Sequence, residues 1–365
     1  MKQTRIYLPG LNGLRAIAAL SVVIAHISQR GIVDFGLPYL FDLPMAGYGV
    51  TLFFVISGFL ITFLLLHEVR NKQTVDVKKF YVRRILRIWP IYYLFIIVSI
   101  LIFIFLHKTT EVFVKELWFY MFFAANVPFI FQNGISILIH YWSIGVEEQF
   151  YLFWPWVVQF SKNKLLKIAI VLFVILFAIK IGLWLCFGAS SYPYRFLMIT
   201  RFHCMMIGAI GAILFFQCKT RIINLFSNKF VQLFSWILFA FMGFNVIHIP
   251  ALIGQEIISF AALSMIMGQV TIKDRLFNLE NRFCDFIGKI SYGIYVIHPL
   301  IILLLSKGYK NLKVDVDLKY ILVYSSVVGA TVFTAWLSYT YFEKPFLKLK
   351  NKFAVVKSSN SMFLN

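Results

Sequence analysis

The sequence predicts an all-α protein, a polytopic bundle of transmembrane helices, from its composition, its long apolar runs and the placement of its charges. Of the 365 residues, 61% are hydrophobic and 14% are charged, against roughly 45–50% and about 25% in an ordinary soluble domain. A soluble fold of this length could not enclose so much apolar surface. We therefore expect the excess apolar residues to face lipid.

Eleven apolar runs come close to the roughly 20 residues that a helix needs to cross a bilayer core of about 30 Å. The runs are 11–27, 46–67, 89–107, 117–131, 141–160, 168–187, 201–217, 231–248, 251–272, 290–306 and 320–342. The first run contains Arg15, and no small-residue cleavage site follows it. We therefore expect it to be retained as the first membrane helix.

The net charge of +20 lies in short loops between the runs, which argues against nucleic-acid binding. Basic loops stay cytoplasmic, and this rule fits best when 117–131, the shortest run, does not cross. Ten crossings with both termini cytoplasmic then place 24 of the 35 Lys and Arg residues inside and eight outside. We predict about ten spanning helices, with 117–131 re-entrant or interfacial, in a membrane domain over 1–346. A basic cytoplasmic tail over 347–365 follows.

Ionisable side chains within membrane helices cost roughly 2.5–3.5 kcal/mol each at a helix centre, so they mark functional sites or buried pairs. Arg15 and His26 are eleven positions apart, which is three helical turns plus about 20°, so both point the same way. Along the helix axis they are separated by about 16 Å. His26 is then either a functional imidazole or a structural histidine bonded to a neighbouring helix.

Two further segments carry polar groups at helical spacing. Arg84 and Arg87 share a helix face, and two guanidinium groups in line suit a pyrophosphate or a phosphorylated ribose. Taken alone, this pair is better explained by binding to anionic lipid headgroups. Ser143, Glu147 and Tyr151 form one polar stripe, in which the carboxylate could accept a proton, orient a histidine or simply neutralise buried arginines.

A third polar stripe contains Tyr292, Tyr295 and His298, followed by Pro299, which bends the helix. These side chains could line a sugar pocket or an acyl channel. They could equally form plain interhelical hydrogen bonds, worth about 0.6 kcal/mol each. The four cysteines have no short paired spacing, and we expect no metal site.

Seven segments, read in order, resemble one family. They are GLRAIAALSVVIAHI (13–27), FFVISGFLIT (53–62), RRILRIWPIYY (83–93), YWSIGVEEQFYLFWP (141–155), TRFHCMMIGAIGAIL (200–214), ISYGIYVIHPL (290–300) and FEKPF (342–346). Over its whole length the chain is similar to the integral membrane acyltransferase family 3, bacterial O-acyltransferases that modify surface carbohydrates. The arginine-x10-histidine, arginine-x-x-arginine and tryptophan-serine-x-x-x-glutamate patterns are specific in combination.

The resemblance implies that the donor is cytoplasmic acyl-CoA, usually acetyl-CoA, and that the acceptor is a hydroxyl of a surface glycan or a lipid-linked sugar. It also implies location in the bacterial cytoplasmic membrane, an essential His26 matched by Arg15, and a donor-binding role for Arg84 and Arg87. Some relatives carry a fused C-terminal hydrolase-like domain, and we expect any such partner to be a separate protein here.

We therefore predict a membrane O-acetyltransferase with His26 and Glu147 as catalytic residues and with Arg15, Arg84 and Arg87 as acyl-CoA-binding residues. The predicted substrate-binding residues are Trp142, Ser143, Tyr151, Arg201, Tyr292 and His298. A polysaccharide or lipid-linked sugar transporter is the alternative, because the same buried groups could form a proton or substrate pathway. A non-catalytic scaffold would leave the polar stripes unexplained.

Overall fold

The protein is all-α, as predicted, in a computed structural model that describes residues 5–38, 43–105, 111–353 and 357–358. The first helices are α1 (Leu11–Arg30), α2 (Met45–Lys72), α3 (Val77–Phe105), α4 (Glu111–Met121), α5 (Asn126–Ile130), α6 (Tyr141–Ser161), α7 (Leu165–Phe187) and α8 (Tyr192–Thr200). They are followed by α9 (Phe202–Phe216), α10 (Thr220–Ser227), α11 (Lys229–Gly243), α12 (Ala251–Val270), α13 (Arg282–Tyr309), α14 (Val316–Leu337) and α15 (Lys344–Lys352). Short π-helical turns cover Gly31–Phe35 and Ser338–Glu343.

The strands found in these ranges are two short segments, β1 (Arg5–Ile6) and β2 (Lys357–Ser358). They pair in parallel, with Arg5 opposite Lys357. The two ends of the described chain therefore lie side by side. This pairing agrees with termini on one side of the membrane, and the cytoplasmic assignment stays a prediction.

Eight helical segments are long and apolar enough to cross a membrane, and the bent pair α10 and α11, which meet at 51°, makes up to nine in the described part of the chain. The chain is thus a multi-pass membrane protein. Of the ten spans that we predicted, the one not included among these nine is α6. This helix has 21 residues but carries Glu147 and Glu148. The count of ten stays a prediction.

Segment 117–131 is not a continuous helix. It is divided between the end of α4 and the short α5, and Phe123 in the break has a left-handed backbone with φ 57°. The structure thus breaks the run that we predicted not to cross. Its position relative to the bilayer stays a prediction.

Close backbone contact at glycines positions the central helices. A Cβ atom at Gly58 of α2 would lie 2.1 Å from the carbonyl oxygen of Met205 of α9, and a Cβ at Gly208 of α9 would lie 2.1 Å from that of Val55. Small residues allow such contact, which drives helix association in lipid. In the apolar stretch of α2, 72% of the residues are accordingly buried, whereas in that of α7 only 11% are buried. Helix α7 therefore faces outward.

Helices α1 and α13 pack side by side and run parallel. A Cβ at Gly288 would lie 2.1 Å from the carbonyl oxygen of Asn12, near the start of each helix. Further along, the side chains of His26 and His298 meet. This pairing brings the first and the sixth of the predicted motif segments together. The π-helical extension of α14, which holds the start of the seventh segment, also packs on α13.

The last helix, α15, packs against α3. Just beyond it, the carbonyl oxygen of Phe353 accepts a hydrogen bond of 3.0 Å from Nη1 of Arg83. The predicted boundary between membrane domain and tail, at residue 346, falls inside α15. The division into domain and tail stays a prediction.

Candidate active site

Two histidines from α1 and α13 form the most direct contact between predicted site residues. Nδ1 of His26 lies 2.7 Å from Nε2 of His298, and the rings stack with centroids 5.0 Å apart and planes inclined by 22°. Nδ1 of His298 lies 3.2 Å from the carbonyl oxygen of Ile294. His298 is fully buried. It therefore contacts His26 directly. The sequence had left interhelical hydrogen bonding open for this stripe, and the substrate-binding role of His298 stays a prediction.

A third histidine, His140, completes this cluster and was missed from the sequence. Its ring lies against that of His298 with centroids 5.2 Å apart, and its Nε2 lies 3.2 Å from the carbonyl oxygen of Val296. Nδ1 of His140 is buried without a hydrogen-bond partner in the described ranges. The sequence feature that could have indicated it is its position directly before α6, the helix that carries the polar stripe.

Most of the other predicted residues line one narrow cavity between α1, α2, α3, α6 and α13. Its lining includes seven predicted site residues, together with Ser57, Ser291, Tyr295 and apolar side chains. The seven are Arg15, Arg84, Arg87, Ser143, Glu147, Tyr151 and Tyr292. The cavity thus brings the arginine pair and the stripe of α6 together, and the separate roles predicted for them stay predictions.

Aromatic rings and hydroxyls surround the charged groups of this cavity. The guanidinium of Arg84 lies between the rings of Phe80 and Tyr151, at 5.4 and 5.3 Å from their centroids, a geometry that favours cations. The Tyr151 hydroxyl donates to Oε2 of Glu147 at 3.2 Å and also contacts the Ser57 hydroxyl. Nε of Arg84 is buried and has no partner within the described residues.

The cavity can therefore accommodate an anion. Buried donors without partners are costly, and Arg15, Arg84 and Arg87 face it with the carboxyl group of Glu147 as counter-charge. The neighbouring Arg83 is committed elsewhere, because its Nη2 pairs with Oε2 of Glu68 at 3.0 Å.

A second polar group lies between the cavity and the histidines. The hydroxyls of Ser143 and Tyr295 are 2.6 Å apart, and the Tyr295 hydroxyl donates to the His140 carbonyl oxygen at 3.0 Å. Tyr295 thus links α13 to the start of α6. Sequence reasoning placed it in one stripe with Tyr292 and His298 but did not include it among the predicted site residues.

Arg201 and Trp142 also meet, although neither is part of the lining of the cavity that contains Glu147. The guanidinium of Arg201 lies 5.2 Å from the Trp142 ring centroid. Its Nη1 donates to the Gly47 carbonyl oxygen at 2.8 Å and to Oγ1 of Thr51 at 3.0 Å. Arg201 itself breaks the helical segment between α8 and α9, with φ 45°. A left-handed non-glycine residue costs about 1–2 kcal/mol, which these bonds offset.

The polar region therefore has two ends. None of the three histidines lines the arginine cavity. Along α1, Arg15 and His26 are about 16 Å apart, and along α13, Tyr292 and His298 are about 9 Å apart. Glu147 bonds to Tyr151 and His26 to His298, so the structure contains no direct Glu147–His26 bond among the described contacts. No described contact therefore supports a role in which Glu147 orients His26 directly.

Three buried ionisable groups outside this region pair with one another. Nζ of Lys180 lies 2.8 and 3.0 Å from the two carboxylate oxygens of Glu256, and Nε2 of His203 lies 3.1 Å from Oε1. The lysine is fully buried. These contacts thus join helices α7, α9 and α12 inside the bundle.

No cluster of three or more His, Cys, Asp or Glu side chains suited to a metal ion occurs in the part of the chain that the structure describes. The four cysteines are free thiols: Cys204 is buried, Cys284 is half-buried, and Cys186 and Cys218 are exposed.

The fold is a multi-pass helix bundle, and arginine and histidine side chains gather in its interior. The protein is therefore a membrane protein with a polar site inside its helix bundle. A family model described as an acyltransferase domain matches residues 8–340. The chain belongs to this acyltransferase family, family 3, and the resemblance drawn from its motifs is confirmed.

Among curated proteins, the chain is 30% identical over 389 residues to the O-acetyltransferase OatA of Staphylococcus aureus strain MRSA252, covering 98% of this chain and 60% of the relative. It is 30% identical over 373 residues to OatA of strain NCTC 8325, covering 94% of this chain and 57% of the relative. The chain thus spans about 60% of the length of these relatives. No solved structure matches it.

Proposed function

We propose that this protein is a membrane-embedded O-acyltransferase of the bacterial cytoplasmic membrane. It moves an acyl group, most simply acetyl, from cytoplasmic acyl-CoA to a hydroxyl of a cell-surface carbohydrate or its lipid-linked precursor. One observation carries this proposal: helix α1 contributes Arg15 to the arginine-lined cavity and His26 to the histidine cluster, so the two lie along the same helix. The names of the relatives, O-acetyltransferases, support the choice of acetyl.

The donor site is proposed at the arginine cavity. Arg84 and Arg87 bind phosphate groups of acyl-CoA, since guanidinium forks match phosphate oxygens, and Arg15 extends this positive surface along α1. The basic loop between α2 and α3 makes this end cytoplasmic, where acyl-CoA is available. The extended pantetheine arm then runs from the arginines towards His26 past Tyr292, Ser143 and Tyr295.

The transfer step is proposed at His26. A sugar hydroxyl is a poor nucleophile, and a neutral imidazole is the usual base for it. His26 takes the hydroxyl proton while the oxygen attacks the thioester carbonyl, the carbon–sulfur bond breaks, and the leaving thiolate takes that proton. In a second version of the step, the imidazole attacks first and carries the acyl group until the sugar displaces it.

The acceptor site is proposed beside the histidines, where Arg201 and Trp142 offer a cation and an aromatic face. Glu147 acts at the donor end, where it balances the arginines and holds Tyr151. It is in this role, rather than by contact with His26, that we expect it to influence transfer.

The test is mass spectrometry of surface glycans from cells that lack the gene and are complemented with wild type or with His26→Ala. We expect an acetyl-sized mass to disappear without the gene, to return with wild type and to stay absent with the variant. Immunoblotting of membranes controls for the amount of protein. Full acylation with His26→Ala would contradict the proposal. Loss of a whole glycan from the outer face, with acylation intact, would instead support a transporter.

A further inference from the structure

The hydrogen bonds of His298 determine which nitrogen of His26 is free to react. A backbone carbonyl oxygen can only accept a hydrogen bond, so the contact of His298 Nδ1 with the Ile294 oxygen at 3.2 Å requires a proton on Nδ1. A neutral imidazole carries one N–H. Nε2 of His298 is therefore an acceptor.

The short contact between the two rings then assigns the proton on His26. Nδ1 of His26 and Nε2 of His298 are 2.7 Å apart, which requires a proton between them. Because Nε2 of His298 has none, Nδ1 of His26 must carry it. Neutral His26 consequently has a bare lone pair on Nε2, and in the described part of the chain His298 is the hydrogen-bond partner found for this ring.

His140 does not change this assignment. Its Nε2 lies 3.2 Å from the Val296 carbonyl oxygen, so its single proton is on Nε2 and its buried Nδ1 has none to donate. His140 therefore cannot protonate Nε2 of His298, although the two rings touch. His140 packs against His298, and its Nδ1 is a buried acceptor without a hydrogen-bond partner among the described residues.

We propose that His298 is a positioning residue that holds His26 as the tautomer with its proton on Nδ1, so that Nε2 of His26 is the nitrogen that reacts. This inference rests on the proposed function, because it names the reactive atom of the proposed base. It moves His298 from acceptor binding to the orientation of His26.

The same bonds limit what His298 does with the proton. The chain of bonds ends at the Ile294 oxygen, which cannot be protonated under ordinary conditions, so His298 does not pass a proton onward. The proton that Nε2 of His26 takes from the acceptor hydroxyl stays on that ring until it leaves with the thiolate. Meanwhile the Nδ1–H bond to His298 stabilises the imidazolium, since hydrogen bonds from charged donors are stronger.

The first measurement is ¹⁵N NMR of the wild-type protein labelled at histidine, because the shift of a ring nitrogen distinguishes its protonated and bare forms. A His26→Gln variant assigns the His26 signals among the seven histidines. We expect a protonated Nδ1 and a bare Nε2. A bare Nδ1 with a protonated Nε2 would overturn the inference. This readout needs no transfer activity, so it decides the tautomer even where the proposed function fails.

The second measurement compares two substitutions of His298. In His298→Gln the amide oxygen can still accept from His26 Nδ1, whereas His298→Leu removes the acceptor. We expect His298→Leu to lower kcat about 10²- to 10⁴-fold, the range of a positioned base, with little change in KM for acyl-CoA, and His298→Gln to restore most of kcat and the wild-type ¹⁵N pattern. His248→Gln, on an exposed histidine, serves as control. Equal loss in both His298 variants with an unchanged His26 tautomer would contradict the proposal.

Discussion

Arg84 and Arg87 line the same cavity but differ in their contacts with aromatic rings. Arg84 lies between two aromatic rings, so its substitution removes packing as well as charge. Arg87 lines the same cavity without such a stacking contact among the described interactions. It is therefore the cleaner probe of phosphate binding.

We predict that Arg87→Gln raises KM for acetyl-CoA about 10- to 100-fold, because a hydrogen bond to a charged group contributes roughly 1.5–3 kcal/mol, and changes kcat less. The measurement is steady-state transfer by purified protein at varied acetyl-CoA. The control is Lys78→Gln, on an exposed cation in the first turn of the same helix. An equal rise of KM in the control would show that only overall charge matters.

The residues of the site differ in how readily they follow from sequence. Ser143, Glu147 and Tyr151 could be predicted to share a face because four-residue spacing within one helix fixes direction. The contact of His26 with His298 could not, since nothing local indicates which of many helices becomes the neighbour of α1. The pairing of Lys180 with Glu256 was hidden for the same reason.

At the scale of elements, α15 lies close to the arginines of the cavity, although most of its residues were predicted to belong to the tail. It packs on α3, and the ammonium group of Lys350 interacts electrostatically with Arg15, Arg84 and Arg87. Like charges repel, and Glu147 is one carboxyl group facing several cations at this cavity. Their convergence is consistent with an anionic ligand at the cavity mouth.

We predict that Lys350→Gln weakens acetyl-CoA binding measurably, raising its KM by less than the change at Arg87, because Arg87 lines the cavity and Lys350 is not part of that lining. Acetyl-dephospho-CoA, which lacks the 3′-phosphate, tests whether that group is the partner: the effect of the substitution should then shrink. Lys348→Gln, on an exposed lysine of the same helix, is the matched control. An identical KM in wild type and Lys350→Gln would remove α15 from the donor site.

The contact of α1 with α13 can be probed by one methyl group. Gly288→Ala would place a Cβ 2.1 Å from the Asn12 carbonyl oxygen, which must push the helices apart and typically costs 1–3 kcal/mol. We predict a lower midpoint of thermal unfolding in detergent and a lower kcat, because the His26–His298 contact lies on the same interface. Gly308→Ala, on the same helix with nothing within 4 Å of the added Cβ, should leave both unchanged or raise stability slightly.

At the scale of the whole molecule, the apolar runs made the helices predictable, whereas breaks inside them were not. The run 201–217 joins a further helix, α8, through the left-handed Arg201, because bonds from its guanidinium to α2 offset the strain. The run 231–248 is helical only as far as Gly243, the end of α11, and α10, which precedes it, meets α11 at 51°. Tertiary contacts, which the sequence does not display, decide such breaks.

Two native thiols test the predicted topology. The ten-span arrangement places the exposed Cys186, at the end of α7, on the outer side and the exposed Cys218, after α9, on the cytoplasmic side. We predict that a membrane-impermeant maleimide labels a protein retaining only Cys186 in intact cells, and labels one retaining only Cys218 only after permeabilisation. The reverse pattern would invert the orientation and move the arginine cavity away from cytoplasmic acyl-CoA.

The His26–His298 contact joins residues 272 positions apart, and this has a consequence for biosynthesis. Helices enter the membrane in the order in which the ribosome makes them, so His26 resides in the bilayer long before its partner exists. Any truncated or stalled chain that lacks α13 leaves the imidazole without its tautomer-fixing neighbour. Such a fragment could occupy the membrane without gaining the activity, so the order of translation itself delays catalysis until the bundle is nearly complete.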